Sequence, residues 1–532
     1  MYLYKVLCIV RALQREVKAR VREFRNESWS DLMEEIKPSH KAFWAVTKAL
    51  KTEGYTPIPP LKKPDNSVAI DDAEIAECLA DSIETQCSHA SPPHDIAHIS
   101  RIEEEASTSQ GNHATSCQLQ TDQPPERSGQ TIRKILKTRL SDHLLGKGLI
   151  IDEQFGFRPA HSCPQQVLRL VEYVSEGFET ERSTVAVFFD VAKAFDRVWH
   201  AGLIYKLYSL QVPDRLIITI QNYLANRHFT FRHERTHSTR RLIRAGVPQG
   251  STLSPLLYSA YTNDVPRPSS SGVQLALFAD DTALFTEIGI GAPDSPSSLQ
   301  RAIDELGQWF RKWRIEVNPT NQQPYNSSMV RLESTHCRQN TPNLKMLDAI
   351  IPWQRNYKYL GVTLDKNLHF RDHIERVRNT ALFYKARLGA VLGRKSKLSR
   401  RNKRTIYKMC IRTVMTYASP VFAHAAPKAL HRLQVIQNKF CRAATDAHWC
   451  VRNSILHRDL ELPTISKYMK DASKRFFDIA GSHPNALLRA AVDYQPPHPT
   501  HLIRRPRNVL TDPPDALTAA VESLNDVNDT HD

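Results

Sequence analysis

No CxxC pair occurs in this chain, no hydrophobic run approaches the length of a membrane span, and acidic residues are outnumbered by basic ones. The nine cysteines lie scattered from Cys8 to Cys450, without the spacing of a disulfide framework. They read as reduced thiols. Cys441, His448, Cys450 and His457 match no closed tetrahedral zinc pattern and read as structural. The first apolar stretch, Tyr2 to Val10, is broken by Lys5 and followed by Arg11, well short of the roughly 20 residues that cross a bilayer. Nothing in it reads as an export leader, so the expected location is nucleus and cytoplasm, with no membrane partner. What the chain has instead is positive charge and material for a core. Its 72 Lys and Arg against 56 Asp and Glu leave a net charge of +16, which favours an anionic polymer as partner. A hydrophobic content of 41% is ordinary for a packed protein.

Along the chain, apolar residues at helical intervals (Leu13, Val17, Val21, Phe24, then Phe43, Trp44, Val46, Leu50) make 1–87 a helical upstream region. Residues 88–130 are rich in Ser, His, Thr, Pro and Gln with almost no large aliphatics, which predicts a disordered linker. Periodic structure then fills 131–365: a helix over 165–179, a buried strand over 184–190, and strands over 273–279 and 282–286. An amphipathic helix over 298–313 carries Leu299, Ile303, Leu306 and Phe310 on one side. Interleaved strands and helices of this kind indicate an α+β domain. Residues 366–488 are expected to be helical and basic, and 489–532 to form a disordered Pro-rich and His-rich tail.

Two acidic motifs carry the chemistry. In Phe188-Phe189-Asp190 an apolar strand delivers a carboxylate to its end, and in Phe278-Ala279-Asp280-Asp281 two carboxylates adjoin at a turn. Like charges in an apolar setting are costly unless a cation sits between them. Oxygen ligands suit Mg²⁺, and two ions roughly 4 Å apart activate a hydroxyl nucleophile and stabilise a leaving pyrophosphate. Taken alone, each motif is more often a plain strand end or turn. A third signal is cationic. Lys395, Lys397, Arg400, Arg401, Lys403 and Arg404 alternate with Leu392, Leu398 and Ile406, a pattern that packs inward while its charge tracks a phosphate backbone.

Between the acidic motifs lies Ala245-Gly246-Val247-Pro248-Gln249-Gly250-Ser251, and IDEQFGFR (151–158) and YKYLGVTLD (357–365) flank the set. In this order the motifs resemble the reverse transcriptases of non-LTR retrotransposons, the jockey-like group in particular. The resemblance implies a right-hand polymerase, its palm a ferredoxin-like antiparallel sheet with helices, with truncated fingers and a helical basic thumb. It implies an RNA-directed DNA polymerase that takes an RNA template (the element's own RNA), a DNA primer and dNTPs, with two Mg²⁺ ions for which Mn²⁺ can substitute. By position, Asp190 and Asp280 resemble the main metal ligands and Asp281 the third carboxylate. Phe195 resembles the ring that excludes a 2′-hydroxyl, Gln249 and Gly250 the pair against the incoming nucleotide, and Arg158 a residue near the template or nucleotide path. Tyr359, Leu360 and Gly361 resemble a hairpin that grips the primer, and the cations from Lys395 to Arg404 the nucleic-acid face of the thumb.

Three departures stand beside this. Relatives carry an endonuclease ahead of the polymerase, so the chain reads as an incomplete copy. KAPG-like and SYRPISLL-like fingers segments, expected between 110 and 130, are missing, and Asn321 stands where the family places a lysine. The alternative function is therefore a catalytically impaired remnant that only binds nucleic acid.

Overall fold

The computed structural model describes residues 61–63, 66–88, 94–111, 126–268, 272–288, 295–317, 330–333, 343–346, 349–498 and 503–529, with scattered positions between 16 and 48. Most of the helices expected over 11–50, and Asn321, lie outside the described residues. The chain forms two compact units, one of Pro57–Leu360 with His483–Ala491, the other of Gly361–Ser482 with Met1–Thr56 and Val492–Asp532.

The first unit opens with helices α1 (Asp72–Gln86), α2 (Ile96–Gly111), α3 (Glu126–Leu144) and α4 (Cys163–Glu179). Strand β1 (Ser183–Asp190) follows, then α5 (His200–Ser209), α6 (Asp214–Leu224) and two short ribbons, His228–Phe229 with Arg241–Leu242 and Arg232–His233 with Thr236–His237. Helix α7 (Ser254–Tyr261) leads to the hairpin β2 (Gln274–Phe278) and β3 (Asp281–Ile288), then to α8 (Ser295–Lys312) and β4 (Val330–Glu333). The four strands form one antiparallel sheet in the order β2, β3, β1, β4. The unit is α+β, as expected.

β1 is central because its sequence is apolar on both faces. Val185, Val187 and Phe189 join a core with Leu203, Ile217, Leu257 and Ile303, while the Phe188 ring on the opposite face stacks on Tyr357 at 4.4 Å. In α8 the buried side is the predicted one, with Leu299, Ile303, Leu306 and Phe310 each at most 3% exposed.

Two expectations of disorder are corrected. Residues 96–111 form helix α2, in which Ile99 and Ile102 are buried and His98 meets the edge of Trp313 at 5.1 Å. Two isoleucines three positions apart suffice because they dock on a core that other segments build. Helix α1, in the region expected to be helical, belongs to the first unit. Asp71 caps it by accepting from Glu74 N at 2.7 Å.

In the second unit, helices α9 (Arg371–Arg387) and α10 (Gly389–Leu392) precede α11 (Arg400–Tyr407), which runs on through a π-helical turn at Lys408–Arg412. The long α12 (Pro427–Thr445), α13 (Asn453–Asp459) and α14 (Ile465–Gly481) complete most of it. The predicted tail also contributes ordered structure, a 3₁₀ turn at Pro506–Leu510 and helix α15 (Ala516–Asp529) that packs on α13. Asn508 is fully buried, and its side chain satisfies Arg505 N and Pro497 O at 2.8 and 2.6 Å. Composition hid this because a few buried amide bonds and a short set of docked apolar residues, Val509 among them, hold the segment.

Candidate active site

The acidic cluster is built by strand register. Asp190, the last residue of β1, pairs directly with Asp281, the first of β3, and Asp281 also pairs with Phe278 at the end of β2. That leaves Ala279 and Asp280 as a two-residue turn, with Ala279 at φ 58°, the left-handed region that tight hairpins need. All three carboxylates thus stand at one end of the central strands, and all are half-buried. Burial pushes the Asp281 carboxyl up to about 7, with the charges of Asp280 and then Asp190 adding to it. Burial and Asp190 also raise Asp280. Two carboxyls held up by burial and by neighbouring acidic charge, with Asp190 beside them, form a site for positive charge.

The turn is braced from behind by Gln154, which is 2% exposed. Its Oε1 accepts from Ala279 N at 3.0 Å and from Gly156 N at 2.8 Å. Phe155 N donates to Leu277 O, and Leu277 N to Glu153 O, both at 3.0 Å, so Gln154 forms a single parallel bridge to β2. Gly156 must be glycine here, since a Cβ would lie 2.1 Å from Ala279 N. Gln166 on α4, fully buried, adds a bond to Leu277 O at 2.9 Å and is itself held by Arg169 at 2.9 Å. Reading motifs for reactive groups missed Gln154, Gln166 and Arg169. The available signal was polar side chains set among apolar neighbours.

The loop after β1 meets the Pro-Gln-Gly loop. Val247 N donates to Phe195 O and Gly246 N to Val198 O, both at 2.8 Å. Gly246, at φ 94°, approaches so closely that a Cβ would stand 2.5 Å from Asp196 O. Gln249 reaches Asp196 Oδ2 at 3.4 Å, and Gly250 takes φ 81° with open space where a side chain would be. The Phe195 ring stacks on Tyr258 of α7 at 5.0 Å. The Tyr258 hydroxyl is raised by burial and then by the charges of Asp280, Asp190 and Asp281, so Phe195 and Tyr258 border the acidic cluster. Ser254 is the first helical residue and not the cap; its hydroxyl bonds Pro248 O at 2.7 Å and ties the loop to α7.

Arg158, Tyr359, Leu360, Gly361 and the cations over 395–404 complete the expected set. Arg158 folds back on its own turn, donating to Ile151 O at 2.9 Å and pairing with Asp152 at 3.5 Å. Tyr359 is 1% exposed and tilted against Phe188, a core ring and not a surface contact. Leu360 and Gly361 follow it in left-handed conformation, φ 44° and 84°. In the second unit Lys395, Lys397, Arg400 and Arg401 are exposed. Lys403, 4% exposed, turns inward and donates to Gly393 O at 3.0 Å. Arg404 is tied to Glu461 and to Leu460 O. Lys403 leaves the expected nucleic-acid face because helical phase puts it on the packed side of α11 with Asn402, Ile406 and Tyr407, whereas Arg404 shares the outer side with Arg400 and is held there by its ion pair.

Among the described residues, no three or more His, Cys, Asp or Glu side chains are gathered so that they alone could hold a metal ion. The oxygen-only donor set and its crowded charge nonetheless fit a hard divalent cation that keeps water and shares its remaining positions with phosphate. Asp190, Asp280 and Asp281 are the side chains that would hold it.

Residues 125–364 match the family model described as reverse transcriptase (RNA-dependent DNA polymerase). The chain is 34% identical over 369 residues to the probable RNA-directed DNA polymerase from transposon BS of Drosophila melanogaster, covering 68% of this chain and 40% of that protein. It is 32% identical over 342 residues to the RNA-directed DNA polymerase from mobile element jockey of Drosophila funebris, covering 63% and 36%. The chain therefore spans about two fifths of the length of these relatives. Apo telomerase from Candida Tropicalis is a distant structural likeness, TM-score 0.32 at 11% identity over 69% of this chain and 60% of that one, too low to argue from. The motif order, the family match and the related sequences agree: residues 125–364 carry a reverse transcriptase domain, and the chain is similar to the RNA-directed DNA polymerases of non-LTR retrotransposons of the jockey kind.

Proposed function

We propose that the chain acts as an RNA-directed DNA polymerase, extending a DNA primer on an RNA template by two-metal nucleotidyl transfer. The observation that carries this reading is the register of Asp190 against Asp281, with Asp280 in the adjoining turn. When bound, two Mg²⁺ ions would lower the pKa of the primer 3′-hydroxyl and neutralise the triphosphate oxygens. In this reading Asp190 and Asp280 hold the ions with Asp281 beside them, and Gln154 fixes the turn from behind. Phe195, backed by Tyr258, closes the space beside the sugar, and the Gln249-Gly250 backbone lies against the nucleotide. The first unit serves as palm with a remnant of fingers, and the helical second unit as thumb, with Lys395, Lys397, Arg400 and Arg401 toward nucleic acid.

Primer extension by the full chain on an RNA template with dNTPs and Mg²⁺, compared with Asp280→Ala, tests this. Incorporation is expected to fall to background in the variant. Equal background from both proteins would remove the polymerase reading and leave a remnant that binds nucleic acid without copying it.

A further inference from the structure

The loop joining α12 to α13 exposes a tryptophan. Trp449 is 79% exposed, beside the exposed side chains of His448 and Cys450. A single exposed apolar residue is ordinary on a protein surface, so exposure alone says little. The loop's construction says more. Arg442 donates to the backbone carbonyls of His448 and Val451 and to Asn453 Oδ1, the last two at 3.0 Å. Asp446 takes φ 55° at the end of α12, and Val451 N closes a turn onto His448 O at 3.2 Å. The backbone is thus fixed while the indole stands out from it.

This loop is also fastened to the basic segment between α10 and α11. Arg394 donates to Ala447 O at 2.8 Å and pairs with Asp446 at 3.2 Å. Lys403 holds the other side of that segment through Gly393 O, and Ser399 caps α11 by accepting from Asn402 N at 3.2 Å. Lys395 and Lys397 are left on the surface of a braced loop that is bonded to the tryptophan loop, and Arg400 and Arg401 on the first turn of α11 that follows it. Their charge complements a phosphodiester backbone. An indole face takes a nucleobase by stacking, and only an unpaired base can offer its face.

We propose that Trp449 is a base-stacking platform which, with Lys395, Lys397, Arg400 and Arg401, takes a segment of single-stranded nucleic acid. The site uses none of the acidic cluster; it rests on the proposed function only in sharing the cations of the second unit, and its test reads binding, not incorporation.

Fluorescence anisotropy of the full chain with labelled oligouridine, labelled oligodeoxythymidine and a blunt duplex, at several salt concentrations, tests it. Trp449→Ala is expected to weaken single-strand binding roughly tenfold, within the range for loss of one stacked base, while Trp449→Phe keeps most of the affinity. Loss on the RNA arm, the DNA arm or both supports the proposal and identifies the sugar accepted. Duplex binding is expected to be unchanged by Trp449→Ala, and Lys395→Ala with Arg400→Ala to flatten the salt dependence. Unaltered single-strand binding by Trp449→Ala overturns the proposal, as does an equal loss on the duplex. Circular dichroism should show no loss of fold in so exposed a variant.

Discussion

At the scale of single residues, two positions near the acidic turn separate positioning from chemistry. Gly156→Ala would drive a methyl group into Ala279 N, where a Cβ would stand 2.1 Å away, and neither partner is a flexible side chain. Overpacking of this kind costs roughly 1–3 kcal/mol, so the variant should melt lower and extend primers poorly. Gln154→Leu keeps the volume but strands Ala279 N and Gly156 N, and should reduce incorporation with a smaller change in melting. Full activity in both variants would mean that the turn needs no brace. Phe195→Ala tests the ring beside the sugar. The ratio of ribonucleotide to deoxynucleotide incorporation should rise, and an unchanged ratio would assign Phe195 to packing on Tyr258. The acidic residues were legible in the sequence because apolar strands announce where they end. The glutamine brace was not, since its partners are backbone carbonyls and amides that no spacing encodes. Lys403 was indistinguishable from Arg400 and Arg401 until the phase of α11 against its neighbours was known.

Among elements, α1 and the ribbons over 228–242 show how local charge can mislead. The sequence there is a cationic hairpin, yet Arg241 is held by Glu77, Asp81 and Glu84 at 3.0, 2.7 and 3.2 Å. Glu77 also accepts from Thr239 N and Oγ1 at 2.5 and 3.0 Å. The acidic stripe of α1 therefore neutralises the hairpin's innermost arginine, while Arg232, Arg235, Arg240 and Arg244 remain exposed. Arg241→Ala should free α1 from the ribbons and speed amide exchange over both segments while leaving β1 protected. Slow exchange in the variant would show that Ala76 and Ala80, buried on the same helix, suffice to hold it. The sheet was readable in outline because β1, β2 and β3 are apolar runs. Helix α2 was not, because its docking surface is assembled from α5 and Trp313, far along the chain.

For the whole molecule, buried histidines of the second unit set a pH limit. Burial holds His373 down to about 3, with Arg376 adding to it, and holds His424 down to about 3, with Arg504 adding to it. Both lie below the roughly 6.5 of an unfolded histidine, so the unfolded chain binds more protons across that interval. The stabilisation is complete above about 6.5 and drains away as the pH falls toward about 3. Urea midpoints measured from pH 7.5 downward should decline through this window, and less steeply in His424→Leu. Parallel profiles would mean that other groups control the acid limit. The division into units carries a further consequence. His483 and Asn485, which reach Ala160 O at 3.2 Å and Asp152 O at 2.9 Å, belong to the unit that otherwise ends at Leu360. A ribosome must therefore finish the intervening helices before the half bearing the aspartates receives its last piece. A nascent polypeptide stopped at Leu360 should be more open to protease near residues 151–161 than the released product.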